Sequence, residues 1–133
     1  MRILVINGSP KGENSITLQT LLYLKKRFPE NEWEVLHAGR QINAHEKDFT
    51  AAKEAVESAE LIVFSYPVYT FIAPSQLHRF IAKTKAEGVS LSGKAVTQVT
   101  TSKHFYDTTA HAYIKENVQD MGASFIDGLS ADM

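Results

Sequence analysis

The chain of 133 residues contains no cysteine, and that absence removes several chemistries at once. No disulfide, thiolate nucleophile, cysteine-ligated zinc or iron–sulfur cluster can be built from it. Excess charge is missing as well. A formal net charge of −1 lacks the basic surplus of a general nucleic-acid binder. There are no repeats, low-complexity tracts or linker-like stretches, so the length indicates one domain over residues 1–133. The longest uncharged run, Leu61–Leu77, is broken by Ser65, Pro67, Thr70, Pro74 and Ser75 and only just reaches the length that crosses a bilayer. A strand followed by an apolar loop is the better reading, and no membrane association is expected. Met1–Ile6 runs directly into a turn without the long apolar core of a secretory signal. With the cysteine-free composition, this makes a cytoplasmic setting the expectation. His37, His45, His78 and His111 show no metal-ligand spacing, so no metal site is expected.

What is present is organised around Met1–Thr17. Arg2–Asn7 is rich in Ile, Leu and Val and reads as a strand buried on both faces. Gly8-Ser9-Pro10-Lys11-Gly12 breaks the run with turn-forming residues. Asn14 or Ser15 can cap the helix that follows, in which Leu18, Leu21, Leu22 and Phe28 recur at helical spacing. A buried strand, a small polar loop and a capped helix gather backbone N–H groups at one point, and a helix N-terminus attracts anions. The loop has neither the GxxxxGK[ST] spacing of a triphosphate loop nor a GxGxxG fingerprint. Its hydroxyls and amide suit one phosphomonoester; read by itself, it is better taken as an ordinary capped turn, and it gains weight only from what faces it.

The remainder alternates. Short strands are expected at Glu34–His37, Leu61–Ser65, Lys94–Thr100 and Ala123–Asp127. Helices are expected over about His45–Ala59, from Pro74 onward through Leu77, Phe80, Ile81 and Thr84, and over about Thr108–Met121 up to Gly122. Alternation of this kind implies a parallel sheet with helices on both faces. With strand order 2-1-3-4-5, the first helix covers one face and the others cover the opposite face. The crevice for a ligand then lies where the winding reverses, at the carboxyl ends of strands one and three. Three loops meet there. Gly8–Ser15 is polar. Pro67–Pro74 is apolar and aromatic, and needs a cover such as a planar aromatic ligand or a second copy of the chain. Thr100–Asp107 carries hydroxyls, a cation and one histidine.

These three loops resemble the flavodoxin-like NAD(P)H-dependent FMN reductases and quinone reductases. The pattern GSP(K/R)xxxS matches Gly8–Ser15, Pro-x-Tyr matches Pro67 and Tyr69 with Ser75 after them, and Thr100-Thr101-Ser102 matches the third loop, although Lys103 and His104 stand where glycines are common. The resemblance implies a flavodoxin-like, three-layer, doubly wound sheet that binds FMN, with NAD(P)H as cosubstrate and a quinone, flavin or other small molecule as electron acceptor. It implies that Ser9, Lys11, Asn14, Ser15 and Thr17 surround the FMN phosphate. Pro67, Val68, Tyr69, Thr70 and Phe71 would line the isoalloxazine, and Thr101, Ser102, Lys103 and His104 would touch its pyrimidine side. Hydride transfer itself needs no side-chain nucleophile, so no catalytic residue is assigned; Lys103 is the candidate for favouring flavin reduction. A flavodoxin-type electron carrier and a non-catalytic interaction module are the rival readings, the first weakened by the near-neutral charge.

Relatives end with a further helix, and Gly128–Met133 does not read as one. One face of the sheet would then carry a single helix, and a homodimer or higher homo-oligomer is expected to cover the rest. Light scattering on the purified chain checks this: an oligomer is the expected result, and a stable monomer would remove the idea.

Overall fold

The computed structural model describes residues 1–8, 16–38, 41–67, 75–102, 108–125 and 129–132. In chain order the elements are β1 (Arg2–Asn7), α1 (Ile16–Arg27), β2 (Glu32–Leu36), α2 (Ile42–Lys47), α3 (Thr50–Ser58), β3 (Leu61–Pro67), α4 (Ser75–Ala86), β4 (Ala95–Ser102), α5 (Thr108–Asp120), β5 (Ser124–Phe125) and β6 (Leu129–Asp132). All strand pairings are parallel, in the order β2-β1-β3-β4-β5, with β6 also on β4. The expected order is therefore the observed one.

Alternation along the strands sorts side chains to two faces. Leu4, Ile6, Ile62, Phe64, Tyr66 and Val96 form the larger core with Ala52 and Val56 of α3, Leu77, Phe80 and Ile81 of α4, and Ile114 and Val118 of α5. Ile3, Val5 and Val63 form the smaller core on the opposite face, against Leu22 and Leu24 of α1 and beside Trp33 and Val35 of β2. The register puts Ala95 and Thr97 of β4 on the α1 face, opposite Leu61 and Val63. Both are half-buried, and Ser124 beside them is exposed. These residues are small or polar, so this part of the face offers less apolar area than the expected oligomer contact assumed.

Two expected elements differ. The single helix over His45–Ala59 is instead α2, starting at Ile42, and α3, starting at Thr50. Asp48 between them is extended (φ −145°, ψ 107°), and its carboxylate accepts the Thr50 N–H at 3.0 Å, satisfying a donor at the start of α3. The break lets Phe49 turn inward, 5.5 Å from the Phe80 ring. The final residues also form a strand. β5 pairs only with Ala95 and Val96, leaving the end of the longer β4 open, and β6 takes up Val99–Ser102. Leu129–Asp132 has weak strand propensity by itself; pairing with β4 overrides it.

The α2–α4 contact carries a buried histidine. His45 is buried, with its ring edge-on to Phe80 at 5.8 Å. It hydrogen-bonds the backbone of His37, while Nε2 is buried without a partner among the described residues. Burial lowers its pKa from 6.5, partly opposed by the His37 bond, because a proton on Nε2 would have no acceptor. Outside it, Arg79 of α4 pairs with Glu46 and hydrogen-bonds Asn43 of α2. At the far end of the sheet, Lys94 Nζ donates to the Glu57 and Ala59 carbonyls at 2.7 and 2.6 Å, a cation closing the C-terminus of α3.

Two predictions follow from this packing. The unfolded chain binds a proton at His45 more readily than the folded chain does. Stability is therefore expected to fall as pH drops below about 6.5, and His45→Leu should flatten that part of a denaturation-versus-pH series. Gly122, which ends α5, has φ +98°, and a Cβ there would lie 3.3 Å from the Ser92 nitrogen. Gly122→Ala should cost about 1–3 kcal/mol, read as a lower urea midpoint.

Candidate functional site

The carboxyl ends of β1, β3 and β4 lie side by side. The β1–β3 pairing runs from Ile3↔Leu61 to Asn7↔Ser65, and one further bond, Gly8 N–H to the Ser65 carbonyl at 2.7 Å, extends it past the strand end. The β3–β4 pairing continues to Pro67↔Thr101. Gly8 is also held from the helix side: a Cβ on it would lie 3.0–3.2 Å from three side-chain atoms of Leu77 in the first turn of α4. A glycine lets the end of β1 approach α4 this closely. Thus the chain leaves β1 for segment 9–15, leaves β3 for segment 68–74, and re-enters α4, all at one place. Segment 103–107 leaves from the adjacent end of β4.

The register also builds a polar row on the α1 face at this end. Asn7 and Ser65 are fully buried and paired across β1 and β3. His37, just past β2, lies on the other side of Asn7, and the Asn7 amide nitrogen and its Nδ1 are hydrogen-bonded over 3.3 Å. The His37 backbone is also the partner of the His45 ring, so α2 is tied through His37 to the end of β1. The Ser65 hydroxyl is buried and, among the described residues, has no hydrogen-bond partner. Below the row the interiors of β1 and β3 on this face are apolar, and in these two strands the change to polar residues comes at the end where the segments depart. Nothing in Asn7, Ser65 or His37 marked them in the sequence, because each takes its place only through strand register.

On the α4 face, the Tyr66 hydroxyl donates to Oε1 of Gln98, both side chains fully buried. Of the residues that the resemblance assigns to a cofactor, Thr17 lies in α1, Pro67 closes β3, and Thr101 and Ser102 close β4. Ser9, Lys11, Asn14, Ser15, Val68, Tyr69, Thr70, Phe71, Lys103 and His104 lie outside the described residues. The four that are placed fall at the converging ends or in the helix that follows the first segment. Among the described residues there is no group of three or more potential metal ligands, and no helix is long and apolar enough to cross a membrane. A cleft of about 210 Å³ lies at the opposite end of the sheet among Arg2, Glu32, Trp33, Glu34 and Ser58, away from the departing segments.

Solved structures of the same architecture carry related names. An FMN-dependent NADH-azoreductase from Bacillus anthracis, solved with FMN, superposes with a TM-score of 0.75 at 15% identity, covering 99% of this chain and 87% of that one. An NADPH-quinone reductase from P. pentosaceus gives 0.76 at 15% identity, covering 99% and 85%. A flavodoxin from Fusobacterium nucleatum, bound to flavin mononucleotide, gives 0.68 at 12% identity, covering 94% and 68%. At these identities the likeness establishes a flavodoxin-like fold. No curated protein matches the chain in sequence. A family model does, over residues 1–128, and by that match the chain belongs to the NADPH-dependent FMN reductase family.

Proposed function

We infer that this chain binds FMN at the carboxyl ends of β1, β3 and β4 and acts as an oxidoreductase between NAD(P)H and a quinone, flavin or other small acceptor. The observation that supports it most is the convergence at Gly8. The β1 end is bonded to β3 and pressed against the start of α4, so the polar first segment and the apolar second one depart from a common point. The orphaned, buried Ser65 hydroxyl fits a site built to receive a polar group.

In this reading Ser9, Lys11, Asn14, Ser15 and Thr17 hold the phosphate, a donor set of hydroxyls, one amide and one cation that matches a phosphomonoester dianion. Pro67, Val68, Tyr69, Thr70 and Phe71 give the ring an apolar, aromatic wall that excludes water. Thr101, Ser102, Lys103 and His104 supply polar contacts on its pyrimidine side, where the Lys103 cation favours reduction. FMN, when bound, supplies the hydride-accepting and electron-donating chemistry, and the protein binds and orients it. No side chain of this chain needs to act as a nucleophile. In this reading the working form is a homo-oligomer, for which Tyr23 and Phe28 of the α1 region, 59% and 49% exposed, offer apolar surface.

The test is optical. Purified chain titrated with FMN should quench flavin fluorescence and retain a visible flavin spectrum through gel filtration, and NADH or NADPH should bleach that spectrum without oxygen. A chain that retains no FMN would overturn the cofactor reading. Retention without bleaching by either nucleotide would make it a carrier instead of a reductase.

A further inference from the structure

We propose that the Tyr66–Gln98 pair is a positioning device for the flavin ring, holding the ends of β3 and β4 at the separation that the ring-binding segments require. The proposal rests on the FMN reading above. Both side chains are 0% exposed, and the Tyr66 hydroxyl donates to Gln98 Oε1. The surroundings are apolar, with Leu77, Phe80 and Ile114 in the same core as Tyr66. Two apolar side chains would fill such a place without desolvating a hydroxyl and an amide. A buried polar pair adds direction: its bond is satisfied at one relative placement of the groups that make it.

The register shows what that placement controls. Tyr66 lies opposite Thr100, and Gln98 lies opposite Phe64, so the bond runs diagonally between the strands, at their carboxyl ends. Tyr66 is followed directly by Pro67–Phe71, the segment assigned to the isoalloxazine. Gln98 precedes Thr101–His104, the segment assigned to its pyrimidine side, by three residues. Both ring segments thus leave the sheet within a few residues of one hydrogen bond. The phosphate segment leaves from β1, which β3 separates from β4. The pair therefore bears most directly on the two ring segments.

The test compares Tyr66→Phe, Gln98→Met and the double variant with the intact chain, reading FMN affinity, the flavin midpoint potential and Tm. Each single change removes the bond from one side. It should lower Tm, weaken FMN binding about tenfold and shift the potential. The double variant removes this donor and this acceptor together, so part of the lost stability should return. Its Tm should return toward the parent value while FMN affinity stays about tenfold weaker and the potential stays shifted. Recovery of affinity and potential together with Tm, a Tm that stays low in the double variant, or parental affinity and potential in the singles would each reduce the pair to an ordinary core contact and overturn the proposal. FMN binding by the unsubstituted chain is read first, so failure of the cofactor reading is separate from failure of the positioning role.

Discussion

The parallel pairing of β1 with β3 is the constraint on which the rest of the molecule depends. It joins residues 3–7 to residues 61–65 across a long stretch of chain, and a right-handed crossover between such strands leaves little choice of where α2 and α3 can pack. With β2 on the other side of β1, the chain has to reverse its direction of winding at this pair. The reversal separates α1 from the remaining helices and opens a crevice at one end of the sheet. The larger core, the smaller core and the candidate site all derive from that step.

The consequences for chemistry are indirect but specific. Apolar alternation fills the sheet interior up to Ile6 and Phe64, and the next residues, Asn7 and Ser65, are polar although still buried. Burying unpaired polar atoms is costly, and a structure tolerates that cost where a ligand or a loop can later satisfy them. On the opposite face the transition is handled differently, by an internal pair, Tyr66 with Gln98. The same strand ends thus present one side with an internal polar pair and another where, among the described residues, the Ser65 hydroxyl is buried without a partner.

Much of this was legible in the residues. Strand runs such as Ile3–Ile6 and Leu61–Phe64 declare burial by composition, and helix faces such as Leu77, Phe80, Ile81 and Thr84 declare it by spacing; all four of these helix residues are buried. The break at Asp48 was legible only in principle: an aspartate two residues before a threonine is a capping signal, but it sits inside an otherwise uninterrupted helical period. The strand at Leu129–Asp132 was not legible, because a neighbour's open edge creates it and local preference does not. The loop motifs identified the family but gave no view of His37, Asn7 or Ser65, whose meeting depends on register across three strands. Register is a property of pairs, and single residues do not announce it.

The two short strands at the sheet's last position have a consequence for how the molecule behaves in company. Residues 126–128 stand between β5 and β6, whereas β4 spends only Thr97 and Gln98 over the same interval. The outer rim of the sheet is therefore two lengths out of step by one residue. An incoming strand in register with Ser124–Phe125 would arrive out of register with Leu129–Asp132. Exposed rims of this kind are where sheets from separate molecules fuse, and the extra residue limits that fusion to a few bonds at a time. At this rim, strand addition between copies is thereby limited, and a contact between copies here would have to be made through faces and helices instead.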